Sequence, residues 1–296
     1  MTKKAMKMEK EQAGKSPLQI GMERFYRNKL AMIGLVVLMI LILASVLAPV
    51  LTPYERDAVD LFHSFQAPDS EHILGTDDVG RDTFTRLLYG GQVSLSVGLV
   101  SAMISILFGV CLGVAAGYFG GWVDMCVMRL VDIFMSMPFY VITITVAAVF
   151  GPSIWNVMIM TGCLAWTNIA RIVRAQTLSL KEMEFVEAGR ALGLNSAEIM
   201  FRHIVPNTIG LIIVYATLGI ASGILSEAGL SYLGLGVKQP QPSWGNMLAS
   251  AQNLRVLQNY WWLWIPPGIA VFVTVLSINL VGDGLRDAFD PKLSRN

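Results

Sequence analysis

Charge is scarce in this chain: only 15% of its 296 residues are Asp, Glu, Lys or Arg. An average soluble domain carries about a quarter charged residues, so there is too little polar surface here to face water on every side. Neither sign dominates, and a net charge of +1 offers no surface for nucleic acid. Cysteine is scarce too. Cys111, Cys126 and Cys163 lie in or beside apolar stretches at unrelated spacings, which marks them as small hydrophobes in packed helices. His63, His72 and His203 are scattered, so no metal site is expected. The chain lacks a Gly-x-x-x-x-Gly-Lys-Ser/Thr phosphate loop, and with it a nucleotide cofactor of its own. Clustered catalytic groups at membrane depth are missing as well, so no enzyme activity is expected of this chain.

Hydrophobic residues, by contrast, make up 54% of the chain, and mean hydropathy is +0.57. A helix needs roughly 20 apolar residues to cross a bilayer, because its backbone polar groups must all be satisfied internally. Leu30–Leu51 and Val93–Phe119 qualify. Ile133–Ala170 is uncharged but too long for one crossing, and Gly151-Pro152-Ser153 divides it into two helices joined by a tight turn. Thr208–Ser226 makes a fifth span, and Val256–Gly282 holds a sixth that starts near Trp262–Pro267. The expected fold class is an all-α polytopic membrane protein with six transmembrane helices. The first run reads as a retained helix: about thirty residues precede it, and it is longer than the apolar region of a signal peptide.

Lys and Arg placement sets the orientation. Lys3, Lys4, Lys7, Lys10, Lys15, Arg24, Arg27 and Lys29 precede the first span. Arg171, Arg174, Lys181, Arg190 and Arg202 lie between the fourth and fifth, and Arg286, Lys292 and Arg295 follow the last. The loop after the first span is acidic instead, from Glu55, Asp57 and Asp60 to Asp77, Asp78 and Asp82. Six spans put all the basic segments on one side, an N-in, C-in topology. The expected organisation is a basic cytoplasmic tail over 1–29, a first helix over 30–52, an external loop over 53–91, a five-helix core over 92–284 and a C-terminal cytoplasmic tail over 285–296. Within the core, a cytoplasmic loop spans 175–207.

Smaller features sharpen this plan. Residues 19–29, with Ile20, Met22 and Phe25 beside Arg24 and Arg27, form either a disordered anchor or an amphipathic surface helix. Gly98, Ser101, Gly109, Gly113 and Gly117 supply small positions for close helix packing. Tyr260, Trp261, Trp262 and Trp264 suit an interfacial belt. In the external segment, Thr76 or Asp77 is expected to cap a short helix leading through Arg86 into the second span.

The cytoplasmic loop is longer than most connections, and its composition is ordered. Glu182–Leu192 holds strong helix formers, with Phe185, Ala188 and Leu192 on one face. Gly193 stops that helix, since glycine readily takes the left-handed conformation past a C-terminus. Asn195 and Glu198 have capping-box spacing and restart a helix bearing Ile199, Met200 and Ile204. Pro206 ends this second helix or sets the chain's angle into the fifth span. A helix, glycine hinge, helix unit at the membrane surface suits a handle for a cytoplasmic partner. It equally suits an amphipathic loop packed under its own bundle.

The run Glu187-Ala188-Gly189, then Gly193, then His203-Ile204-Val205-Pro206-Asn207 closely resembles the signature loop of binding-protein-dependent ABC importer permeases, Glu-Ala-Ala-x3-Gly-x9-Ile-x-Leu-Pro. Gly189, His203 and Val205 depart from it, and Gly for Ala should cost the first helix about 1 kcal/mol. Further stretches resemble the dipeptide, oligopeptide and nickel branch, and its C-type permease in particular. These are Arg27-Asn28-Lys29-Leu30-Ala31, Gly75 to Asp82 with Arg86 to Gly90, Leu233 to Gly236 with Pro242 to Gly245, and Gly282 to Asp287 through Asp290 to Leu293.

That resemblance implies a type I ABC importer permease fold in a bacterial or archaeal inner membrane. The implied partners are a second permease, two cytoplasmic ATPases that carry ATP and Mg, and an external solute-binding protein. The implied cargo is a di- or oligopeptide, with nickel, a nickel chelate or glutathione as the alternative. It assigns ATPase coupling to Glu187, Ala188, Gly189, Gly193 and Pro206, in a loop docked at 185–206. An ion-coupled secondary transporter would instead need intramembrane acids, broken helices and inverted repeats. Glu227, an acid near the end of the fifth span, is either a gating or pathway residue or a structural one. Arg129 and Asp132, at i, i+3 spacing, make a structural pair or an ATPase contact.

Overall fold

The computed structural model describes residues 17–289. The expected tail residues Lys3 to Lys15, and the Asp290 to Leu293 motif with Lys292 and Arg295, lie outside the described residues. Among the described residues the chain is all helical, apart from one isolated antiparallel bridge between Thr76 and Asp82. Helices α1 (Pro17–Arg27) and α2 (Lys29–Val46) meet at Asn28, whose side chain accepts from the Ala31 N–H at 3.2 Å and caps α2. Of the two expectations for this region, the helix is what forms. Phe25 is buried with Ala31, Val281 and Ala288, so α1 packs on the first and last long helices.

The short α3 (Ala48–Leu51) leads outward, and α4 (Thr83–Phe119) returns. Helix α4 begins ten residues before the expected Val93, and its cap is Asp82, correcting the expectation of Thr76 or Asp77. The Asp82 carboxylate accepts from the Thr85 N–H at 2.7 Å. Apolarity missed this first stretch because Thr83, Thr85, Arg86, Gly90, Gly91 and Ser94 are polar or small and point inward.

A second correction concerns the third span. Ile133–Phe150 is not one helix: α5 (Gly121–Ser136) and α6 (Phe139–Phe150) meet at Met137-Pro138 with an 81° bend. The Pro138 ring blocks helix continuation through this point. The turn at Gly151 to Ser153 forms as expected, and α7 runs Ile154–Leu180. Helix α8 (Glu184–Ala191), α9 (Ser196–Ile199), a π-helical turn (Met200–Ile204) and α10 (Val205–Tyr232) follow. At the other end come α11 (Trp244–Leu248) and α12 (Leu254–Asn259), before α13 (Ile265–Phe289) closes the fold.

By length and apolarity, four helical stretches are able to span a membrane: Lys29–Val46, Thr83–Phe119, Ser196–Tyr232 and Trp261–Phe289. The bent pair raises the number to five. Helix α7 is long enough, but Asn156, Thr161, Thr167 and Asn168 make it more polar than these.

Small residues determine the tightest packing. A Cβ on Gly109 would lie 2.6 Å from Ile169 Cβ, one on Gly113 2.7 Å from the Ala170 carbonyl, and one on Gly117 2.7 Å from Thr177 Cβ. Glycines at every fourth position of α4 thus receive a matching row on α7, as in ridges-into-grooves packing. On another face of α4, Gly98 meets Ile220 and Gly223 of α10 equally closely.

Candidate functional site

At one end of the bundle, α8 and α9 form a compact hairpin. Helix α8 ends in a Schellman turn: Gly193 donates to the Arg190 carbonyl at 3.0 Å and Leu194 to the Gly189 carbonyl at 3.1 Å. Gly193 takes φ +82°, a conformation that other residues adopt only with strain. Leu194 folds back over Gly189, where a Cβ would sit 3.3 Å from the Leu194 side chain. Gly189 in place of Ala therefore seats a leucine. The capping box forms as expected: Asn195 Oδ1 accepts from the Glu198 N–H at 2.8 Å, and the Glu198 carboxylate accepts from the Asn195 N–H at 3.1 Å.

The hairpin has an inner and an outer face. Val186, Ile199 and Ile204 are buried in one cluster with Val114 of α4 and Ile169, Val173 and Leu180 of α7. The Arg190 guanidinium also stacks over the Tyr118 ring, 5.4 Å from its centroid. Phe185, Ala188 and Leu192 share the outer face, and all three are exposed, Leu192 by 82%. Glu187 is exposed beside them.

Pro206 does not end the second helix. The helix runs on from Ser196 to Tyr232, and Val205 donates to the Met200 carbonyl five residues back. This π-type step absorbs the missing proline N–H. Asn207 supports it by donating its side-chain amide to the His203 carbonyl at 2.6 Å.

Glu227 is fully buried in α10. Ser94 of α4 donates to it at 2.8 Å and Ser231 at 2.6 Å, and Ser243 also hydrogen-bonds to it. Each serine oxygen in turn accepts a backbone N–H: Trp244 on Ser94, Val237 on Ser231 and Asn246 on Ser243. The carboxyl thus gathers three hydroxyls and, through them, the segment that follows α10.

Arg129 and Asp132 form a loose surface ion pair at 4.0 Å, and Asp132 makes a closer one with Arg171 of α7 at 2.6 Å. Asp124 likewise takes a two-pronged contact from Arg174. The two acids of α5 thus face the arginines of α7, one helix across.

This arrangement can be set beside known proteins. The family model described as binding-protein-dependent transport system inner membrane component matches residues 109–295. The chain belongs to that family. A second model, the N-terminal TM domain of oligopeptide transport permease C, matches residues 16–68 of this permease. The permease is 45% identical to the oligopeptide transport system permease protein OppC of Escherichia coli (strain K12), over 95% of this chain and 93% of the relative. It is 42% identical to a putative peptide permease protein of Brucella suis biovar 1, over 96% and 94%. Identity is 39% to OppC of Bacillus subtilis (strain 168), over 93% and 89%. It is an inner-membrane, multi-pass transport component, and its place in the system is that of permease subunit.

The structure brings Gly189, Gly193 and the Ala188 face of the permease together in one hairpin. Glu227 stands apart from them, within the bundle. Sequence reasoning missed Val186, the inner anchor of α8, although its i, i+3 spacing to Gly189 was a usable signal. It also missed Ser94 and Ser243 around Glu227, which no local spacing could have linked to that acid.

Proposed function

We propose that this permease is the C-type subunit of an ATP-driven importer of di- and oligopeptides. It works with a second permease, two cytoplasmic ATPases that hold ATP and Mg, and an external solute-binding protein. Glu187, Ala188, Gly189, Gly193 and Pro206 form its coupling element. The observation that carries this reading is the exposed Phe185, Ala188 and Leu192 face on a hairpin whose inner face is built into α4 and α7. A helix that packed under its own bundle would have buried that face. A groove of a partner ATPase covers it, and motion of the groove passes through the Val186 and Ile204 cluster into the spans. The relatives, which are peptide, dipeptide and oligopeptide permeases, favour peptide over nickel or glutathione.

Six spans with both termini inside fit the packing. Phe289, at the end of α13, meets Gly21 of α1 and Gly210 near the start of α10. The described chain therefore begins and ends at the same end of the bundle, which supports an even number of crossings. The four apolar spans, the bent α5–α6 pair and the more polar α7 make six. Glu227 acts as an external clamp beside the pathway, and Arg129 remains a candidate ATPase contact.

A cysteine replacing Ala188 tests the coupling element. With a short bifunctional thiol reagent it should cross-link to a cysteine in the ATPase groove of the assembled transporter. No cross-link across several spacer lengths, in a complex that still imports trialanine, would sink the docking assignment.

A further inference from the structure

Within the bundle, α4, α6, α7 and α10 enclose an open groove of about 590 Å³. Asn168, Ser222 and Ser226 contribute its polar wall beside Thr161, and Tyr215 adds a phenol, while the buried Ser101 and Ser105 hydroxyls already donate to backbone carbonyls. Among the described residues, no Asp, Glu, Lys, Arg or His lines it. Asn168 and Ser222 are exposed. Thr161 is only 4% exposed, yet its hydroxyl has no hydrogen-bond partner. Most buried hydroxyls find a partner within the protein or in ordered water. Polar groups turned towards lipid are costly, so those at membrane depth face the bundle interior, a wet lumen or a polar passenger.

We propose that this groove is this subunit's wall of the peptide pathway, and that it recognises the passenger by its main chain. This rests on the peptide-importer reading above. An extended peptide offers one N–H and one C=O per residue. Hydroxyls and carboxamides both donate and accept, so one wall satisfies that alternation whichever way the chain steps along it. With no fixed charge on the wall, a Lys or Glu side chain on the passenger is neither held by an ion pair nor repelled. The external cleft differs: Asp77, Asp78, Arg81 and Arg86 line it. Charge is presented at the entrance and removed from the passage.

Solvent-accessible cysteines in the complete transporter test this. The parent carries Cys111→Ala, Cys126→Ala and Cys163→Ala, and each variant adds Asn168→Cys, Ser222→Cys or, as a lipid-side control, Leu107→Cys. A positively charged methanethiosulfonate should modify the two groove positions. Saturating trialanine with binding protein and ATP should slow that reaction at least fivefold and leave the Leu107→Cys rate unchanged. Groove cysteines that stay unreactive, or that react at the same rate with and without peptide, would overturn the assignment if the parent still imports trialanine. A parent that imports nickel or glutathione but no peptide would overturn the substrate reading and the groove's passenger together.

Thr161→Val supplies a second readout. It should raise the uptake KM severalfold, and by a similar factor for trialanine and for tripeptides with a central Lys or Glu. An unchanged KM, or an effect confined to one charge class, contradicts main-chain recognition.

Discussion

At the α3 end of the bundle, two distant segments are tied by polar contacts. Arg86 donates to Gln239 Oε1 at 3.1 Å and the Pro240 carbonyl at 3.2 Å. Trp262 donates to the Thr76 carbonyl at 3.2 Å, and Glu227 gathers Ser94, Ser231 and Ser243 beneath. At the opposite end, the α8–α9 hairpin has an apolar inner face in the core and an outer face that is exposed among the described residues. Directional contacts fix one arrangement, because each lost hydrogen bond strands a buried group. Apolar contacts are less directional and tolerate sliding. The contrast fits a molecule clamped at one end and driven at the other.

The largest expected effect lies at the driven end. A Cβ on Gly193 would meet nothing within 4 Å, so the cost of Gly193→Val is conformational alone, about 1–2 kcal/mol. Uptake should nevertheless fall by more than about tenfold while the protein still inserts, because the hinge directs both hairpin helices. Normal transport by that variant would break the comparison. At the clamped end, Glu227→Ala strands three serine hydroxyls and should destabilise the fold by about 3 kcal/mol, read as a lower thermal midpoint in detergent. A midpoint equal to the parent's would show the clamp to be dispensable. The smallest effect on stability belongs to Leu192→Ser, within about 0.5 kcal/mol for an exposed position. Its signature is weaker ATPase association in pull-down at unchanged thermal midpoint.

Much of this was readable in the sequence because it is local. Gly193, the Asn195 to Glu198 box and the Gly151 to Ser153 turn follow from chemistry within a few residues. The bend at Pro138 was missed because an uncharged run hides an interruption that leaves hydropathy unchanged. The helix through Arg86 was expected from its cap signals, but its continuity with the second span and its Asp82 cap were not, because polar residues interrupt the apolar run until tertiary partners bury them. For the same reason the closer partners of Asp132 and Asp124, Arg171 and Arg174, were not legible, although the local Arg129–Asp132 pair was. A pairing between helices carries no fixed sequence interval.

The π-helical turn at Met200–Ile204 has a geometric consequence for the whole driven end. An α-helix advances about 100° per residue, but the wider π-turn holds one additional residue in the same rotation and so shifts by one position which residues face each way beyond it. The hairpin and the span that carries Glu227 are sections of one shaft. Taking that residue out would relax the turn to regular α-helix and leave both sections facing as they do, so the extra residue is taken up locally, beside Pro206.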